Sequence, residues 1–262
     1  MNNSRLPPHQ LPRRADHGFI LVELMVAIVI GLFITLGLSQ IFLSMYSTSQ
    51  SQNKLSTFQD NQRLAIVMVV NTVQLAGYFP NPSGQTAVGA LSYTGPNTFD
   101  SGDSSSFTAG TGITGAGDGG VTKADSIDIA YVTTGSDNIY NCQGATASAA
   151  TTTTFVNSIS VNSSNQLVCG VNSIVAGVGT ASTTALVLAT GVTGMTILYG
   201  VDVANVGTTG SYLTASAVQA AGLWASVRTV QITLNFTRPA LINGASSTSI
   251  PWTQTINLMR VS

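Results

Sequence analysis

The sequence predicts an α+β protein in which one long amino-terminal helix, over about residues 19–76, precedes a mostly antiparallel β-sheet head. Two observations favour this fold class. Residues 19–76 contain no proline, whereas Gly77 and Pro80 follow at once and are typical of a helix end. Short β-branched or alternating stretches, separated by Gly- and Ser-rich segments, then continue to the carboxyl terminus, as in antiparallel sheets.

Composition disfavours catalysis and nucleic-acid binding. Charged residues make up only 7% of the chain, against about a quarter in an average protein. Six basic and nine acidic residues follow Gly18, so the head offers nucleic acid no positive surface. Both histidines, His9 and His17, precede Gly18, and a chain cut there would lack the imidazole of most triads and zinc sites. We therefore expect no enzyme activity, no cofactor and no metal.

An apolar stretch from Phe19 to Leu43 follows a polar, partly basic segment. Its roughly 25 residues would form about 37 Å of helix, enough to cross a hydrocarbon layer of about 30 Å. A secretory signal peptide would be shorter and would carry its cleavage site on the far side. Here the plausible cleavage site, Gly18, lies before the apolar stretch, so a leader can be removed while the membrane anchor is kept.

Glu23 is the one charged residue in that stretch. An acid in lipid costs a few kcal/mol and needs a partner. Cleavage after Gly18 would supply a cationic amine on Phe19, four residues earlier. If Glu23 of one subunit neutralised the terminal amine of a neighbour, the two helices would be drawn into axial register. An ordinary signal anchor is the simpler interpretation of the same pattern.

The run from Gly18 to Leu24 resembles the type IV prepilin motif: glycine, phenylalanine, aliphatic residues and then glutamate. The resemblance implies that a prepilin peptidase removes residues 1–18 and methylates the new amino group. It assigns Gly18 and Phe19 to the processing site and Glu23 to subunit assembly.

Three further segments, 61–65, 76–79 and 194–202, are similar to the PilW branch of minor pilins. That resemblance implies a low-copy subunit that starts or caps a type IV pilus and supports adhesion, twitching motility or DNA uptake. Its partners would be other minor pilins, the major pilin, the inner-membrane assembly platform and a tip adhesin. The protein would first sit in the inner membrane of a Gram-negative bacterium with a periplasmic head, and later in the pilus fibre. Alternatives are a J-type minor pseudopilin of type II secretion and a signal-anchored periplasmic binding protein.

The outer half of the helix, 44–79, is predicted to be amphipathic. Val67, Met68 and Val70 are expected to face the sheet. Charged side chains are expected in solvent or against a neighbour, and these are Lys54, Asp60 and Arg63. One face carries residues at three- or four-residue spacing, namely Leu55, Phe58, Gln62, Ala65, Val69 and Thr72. The predicted parts of the chain are therefore a leader (1–18), a membrane or filament-core half-helix (19–43), this outer half (44–79) and an extracytoplasmic head (80–262).

The head begins with residues 80–124, a Gly/Ser/Thr-rich stretch expected to be loop, irregular edge structure or partly disordered. Alternation at Ile127, Ile129 and Tyr131 predicts a strand. Further strands are expected at 154–161, 166–171, 185–189, 194–201, 230–236 and 255–261, with a short helix at 213–222.

Cys142 and Cys169 are predicted to form a disulfide, because an anchored head would be exported. Closing a loop of about 28 residues would contribute roughly 3–4 kcal/mol. Two buried free thiols, or metal binding, remain alternatives. Gly117–Gly120 and the pair Asp100 and Asp103 suggest calcium loops but have too few acids for a dedicated site. Two tryptophans are expected in core or interface positions, Trp224 and Trp252.

Overall fold

The computed structural model describes residues 21–95, 106–120, 124–148, 151–181, 184–238 and 249–259. The chain forms two units, Met1–Gln52 and Asn53–Ser262. The α+β fold class is confirmed, because a long helix precedes ten strands that pair only in antiparallel fashion among the described residues.

Helix α1 runs from Leu21 to Gln74, 54 residues without a break. It ends because Gly77 adopts a left-handed conformation, with φ of 78°, which glycine reaches at little cost. The Gly77 N–H then donates to the carbonyl of Ala130 in the sheet (3.0 Å). The predicted helix is thus confirmed over the described residues, and its last turn is two residues shorter than expected.

The outer half of α1 buries one narrow face, made of Gln62, Ala65, Val69, Thr72 and Val73. Small or β-branched side chains on that face allow the helix backbone to lie close to the sheet. The prediction that Val67 faces the sheet is wrong, because its side chain is 46% exposed. The neighbouring Leu64 is also exposed, at 54%. Their positions lie more than a quarter turn away from the buried face.

The strands of the head form two sheets. The first has the order β1-β2-β3-β4-β5, with β6 pairing with the other end of β4. Its strands are β1 (Ile113–Ala116), β2 (Ser126–Thr133), β3 (Thr153–Val161), β4 (Gln166–Val175), β5 (Val178–Ala181) and β6 (Leu186–Thr190). The second has the order β10-β9-β7-β8. Its strands are β7 (Val192–Val201), β8 (Ser211–Leu213), β9 (Val227–Thr237) and β10 (Ser249–Asn257).

Three short helical segments complete the head: α2 (Ala87–Ala90), α3 (Ala215–Ala221) and a 3-10 turn (Trp224–Ser226). The two ends of helix α3 are determined by capping residues. The Thr214 hydroxyl accepts the Ala217 N–H (3.3 Å), and Gly222 closes the helix with φ of 64°. The short helix predicted at 213–222 is therefore confirmed.

One core joins α1 to both sheets. It includes Val69 and Val73 of α1, Tyr131 of β2 and Tyr199 of β7. Aromatic rings meet edge to face at two places, Phe58 against Phe236 (6.3 Å between centroids) and Tyr199 against Trp224 (4.9 Å). Trp224 is a core residue as expected, whereas Trp252 on β10 is 43% exposed.

Several sequence-based boundaries need correction. The segment 80–124 contains α2 and β1, and several of its side chains are buried, among them Leu91, Phe107 and Ile113. Strands β5 and β8 are short and were not anticipated. The last strand begins at Ser249 rather than Thr255, because pairing with β9 gives its polar residues hydrogen-bonded partners that alternation cannot reveal.

Gly112 is expected to be irreplaceable because a Cβ added there would overlap the Gly77 backbone. Gly112→Ala should lower the free energy of unfolding by about 1–3 kcal/mol through overpacking. Thermal unfolding of the full chain in detergent, followed by circular dichroism, measures this. Gly89→Ala is the control, because an added Cβ there comes no closer than 3.4 Å to Thr86 Oγ1. Equal melting temperatures for the two variants would contradict the close contact.

Candidate functional site

The amino-terminal part of α1 is the candidate functional segment. In the described residues it is the one helix long and apolar enough to cross a membrane. Large apolar side chains from Leu21 to Tyr46 are all exposed in the isolated chain, with Phe33 and Phe42 each at 69%. Apolar surface of this extent marks a region that contacts lipid or other protein.

Two hydroxyl side chains within this segment donate hydrogen bonds to carbonyl groups of the same helix. The Thr35 hydroxyl donates to the Leu32 carbonyl (2.9 Å), and the Ser39 hydroxyl donates to the Thr35 carbonyl (2.8 Å). In lipid, an unpaired hydroxyl would cost free energy, so these intrahelical bonds lower the cost of placing the helix there. The segment is therefore suited to a hydrocarbon environment over about 30 Å from Leu24 to Leu43.

Glu23 lies in the first turn of the described helix. The next charged residue along the chain is Lys54, so Glu23 is the one charged side chain of the apolar stretch from Leu21 to Tyr46. Gly18 and Phe19, the predicted processing site, lie outside the described residues, and the distance from Glu23 to the processed terminus stays a prediction.

The carboxyl-terminal half of α1 is fixed to the head by hydrogen bonds as well as packing. The Asn61 side-chain amide donates to the carbonyl and the hydroxyl of Thr190, both at 3.1 Å. Beyond the last turn of α1, the Tyr78 backbone carbonyl accepts a hydrogen bond from the Val132 N–H (2.8 Å). These bonds, together with packing, fix residues 61–78 against the sheets.

Cys142 and Cys169 are joined in a disulfide, with Cα atoms 6.4 Å apart. Both are buried. The Cys142 N–H donates to the Asn157 side chain (2.9 Å), and the Gln143 amide donates to the Cys169 carbonyl (3.1 Å). The disulfide holds the β2–β3 connection, which contains Cys142, against Cys169 of β4. Its role is therefore structural.

The glycine-rich stretch Gly117–Gly120, which suggested a calcium loop, is bound by Asp125, an acid outside that stretch. Asp125 is buried and accepts the N–H groups of Gly120 (3.0 Å) and Ile197 (2.7 Å). Burial raises the pKa of Asp125, and the N–H groups partly offset this rise. The described residues contain no group of three or more acidic, cysteine or histidine side chains that could hold a metal. Asp100 and Asp103 lie outside the described residues.

Asp202 is a second buried acid that sequence reasoning missed. Its carboxylate accepts the N–H groups of Val206 (3.0 Å) and Gly207 (2.8 Å), and Arg228 Nε lies 3.6 Å from Oδ2. Burial alone would raise the pKa of Asp202, but these N–H groups and the Arg228 guanidinium outweigh it and lower the pKa. The sequence signal that could have indicated this loop is an acid followed within five residues by Asn205 and Gly207, two residue types that favour turns.

The lowered pKa of Asp202 predicts a pH-dependent contribution to stability. The ionised carboxylate stabilises the fold above the unfolded-state pKa, and this contribution is lost as pH falls through the lower folded-state pKa. Asp202→Asn should therefore lower the unfolding free energy most near pH 6–7, and its difference from the wild type should shrink towards pH 2–3. Denaturant unfolding at several pH values measures this. A difference that grows on acidification would contradict the assignment.

Comparison with known proteins gives one family. The family model for the type IV pilus-assembly protein W, PilW, matches residues 154–249. This range runs from β3 to the first residue of β10, so it lies in the head and does not include the apolar segment. No curated protein matches the chain significantly. The matched range contains segment 194–202, on which the resemblance partly rested, so this part of the head is similar to the PilW family of type IV pilus-assembly proteins.

Proposed function

We propose that this chain is a minor pilin of a type IV pilus, with a structural rather than catalytic role. The observation that carries the proposal is the combination, in one chain, of a PilW-type head and an exposed apolar helix with a single acid near its amino terminus. The head match points to pilus assembly. The helix supplies the means by which a subunit could enter a filament.

In this proposal a prepilin peptidase cuts after Gly18 and methylates Phe19. The new amine is cationic and lies four residues before Glu23. Within lipid, a carboxylate and an amine attract strongly because water does not screen them. Pairing of Glu23 with the amine of an adjacent subunit would set the axial position of the incoming helix before apolar packing fixes it.

The head would remain in the periplasm while the helix spans the inner membrane, and would later lie in the pilus fibre. Its partners would be other minor pilins, the major pilin, the assembly platform and a tip adhesin. Adhesion, twitching motility or DNA uptake would depend on the filament that this subunit helps to start. The match to the pilus protein W family favours a pilus over the J-type pseudopilin of a secretion system.

Replacement of Gly18 by a bulky residue such as phenylalanine should leave uncut precursor in the inner membrane, because the peptidase would no longer accommodate the residue before the cut. Mass spectrometry of the amino terminus measures the processed fraction. A matched substitution at Asp16, two residues upstream, serves as the control. A normal mature terminus on the Gly18 variant would contradict the processing site.

Glu23→Ala should leave processing largely intact but reduce incorporation into filaments by about tenfold, which corresponds to a loss of about 1.4 kcal/mol. Quantification of the subunit in sheared filaments and in membranes separates assembly from expression. Glu23→Gln keeps the side-chain shape and removes the charge, so it should behave like the alanine variant. Wild-type incorporation of the glutamine variant would argue against charge pairing.

A further inference from the structure

An open pocket in the head lies between the loop after β7, the start of β9 and the end of β10. Its volume is about 410 Å³, within the range of about 300–1,000 Å³ that is common for small-molecule sites. The side chains that line it are polar except for one leucine, and they are Thr208, Thr209, Arg228, Thr229, Asn257 and Leu258. No step of the proposed pilin assembly uses these residues.

A β-bulge places Arg228 at this pocket. Gly200 of β7 pairs with Thr229, and the next residue, Val201, pairs with Val227, so Arg228 is an extra residue on β9. A bulge re-aims the side chain at its position and is often found beside functional sites. The guanidinium of Arg228 is thereby directed to the loop after β7 rather than aligned with the strand ladder.

That loop holds the Arg228 guanidinium from one side. Nη2 donates a hydrogen bond to Asn205 Oδ1 (3.0 Å), and Nε lies 3.6 Å from Asp202 Oδ2. Arginine has five N–H donors, and the Nη1 group of Arg228 has no hydrogen-bond partner among the described residues. The side chain is 26% exposed, so donors of this group remain available to a ligand.

The loop is fixed without any help from a ligand. The Asp202 carboxylate accepts the N–H groups of Val206 (3.0 Å) and Gly207 (2.8 Å). Asn205 adopts a left-handed conformation with φ of 52°, which asparagine tolerates better than most residues. A binding loop that is already ordered loses little conformational entropy when a ligand arrives.

A chain of hydroxyl groups forms one wall of the pocket. The Thr229 hydroxyl donates to the Tyr212 hydroxyl (3.3 Å) and lies 3.1 Å from the Thr209 hydroxyl. Because a hydroxyl has one proton, Thr209 is the donor in the second pair, and the Tyr212 proton is left to donate elsewhere. Gly200 makes this arrangement possible, since a Cβ at that position would overlap Thr229 Oγ1.

The end of β10 supplies the opposite wall. Asn257 is the last residue of the strand and pairs with Thr229. Its carboxamide makes no hydrogen bond to other described residues, so it offers both donors and an acceptor. The next residue, Leu258, packs partly against the core and adds an apolar surface to the pocket. The pocket therefore combines donors, acceptors and one small apolar contact area.

The charges and the lining favour a neutral polar ligand. Arg228 is the one cationic side chain among the described residues that line the pocket, and Asp202 lies close enough to balance its charge. An anionic ligand would add a negative charge without a compensating cation. A protein partner usually anchors large apolar or aromatic side chains in a desolvated pocket. Leu258 is the one large apolar side chain among the described lining residues, which disfavours such an anchor.

We propose that this pocket binds a neutral hexose, either free or at the end of a glycan. Each hydroxyl group of a hexose both donates and accepts hydrogen bonds. Neighbouring hydroxyls would bond to Arg228 Nη1 and to the Asn257 carboxamide, and a further one would bond to the Thr208 hydroxyl. The C–H groups on one face of the sugar ring would pack against Leu258.

Binding is tested on the full chain in a phosphocholine detergent, which carries no sugar headgroup. Glucose, galactose and mannose are the probes, each titrated by saturation-transfer NMR, with glucuronate, galacturonate and mannuronate as anionic counterparts. At least one hexose should bind with a millimolar Kd, as expected for a few hydrogen bonds to a small ligand. The corresponding uronate should bind at least about fivefold more weakly, because its charge is not balanced in the pocket.

Two variants locate the site. Asn257→Ala and Thr208→Val should each weaken binding of that hexose by at least about fivefold through loss of a hydrogen bond. Thr255→Ala is the matched control, since alternate residues of a strand lie on the same face and Thr255 does not line the pocket. It should bind like the wild type. Equal melting temperatures of the variants and the wild type would show that the fold is intact.

Three results would overturn the proposal. The first is no binding of any of the three hexoses up to about 50 mM, far above a millimolar Kd. The second is an equal Kd for the wild type, Asn257→Ala and Thr208→Val, which would place the sugar elsewhere. The third is tighter binding of a uronate than of its hexose, which would show recognition of an anion by Arg228. The inference does not rest on the proposed pilin function, because sugar binding is measured separately from processing and filament incorporation.

Discussion

The continuous backbone hydrogen bonding of α1 is the constraint on which the rest of the molecule depends. A chain segment in lipid must satisfy its N–H and C=O groups internally, and a helix does so. In this protein the same helix continues without a break into the head. The backbone of α1 has the same helical conformation in both halves, so the two halves differ only in their side chains. Exposed aliphatic and aromatic residues occupy the first half, and a narrow face around Ala65 and Val69 contacts the sheets in the second.

In the head, Gly- and Ser-rich connections are fixed by hydrogen bonds to a small number of buried acids. Asp125 and Asp202 are both buried, and each accepts backbone N–H groups from a neighbouring loop or strand. The disulfide adds a covalent restraint on the β2–β3 connection. Each acid thus organises its surroundings as a hydrogen-bond acceptor, at the cost of removing a charge from water. Neutral loops and buried acceptors together leave a surface with little electrostatic character.

Sequence alone determined the long helix, the single acid of its apolar half and the α+β order. Periodicity, absence of proline and local charge depend only on residues that are close together in the sequence. It also indicated the disulfide from the presence of just two cysteines. It misplaced Val67 and the start of β10, and it missed β5, β8 and the roles of Asp125 and Asp202. Those features depend on partners distant in the chain: Ile197 for Asp125, Arg228 for Asp202 and β9 for β10. Whether a polar residue pairs with a remote backbone group or faces water is decided only when the sheets assemble, since local pattern carries no information about that partner.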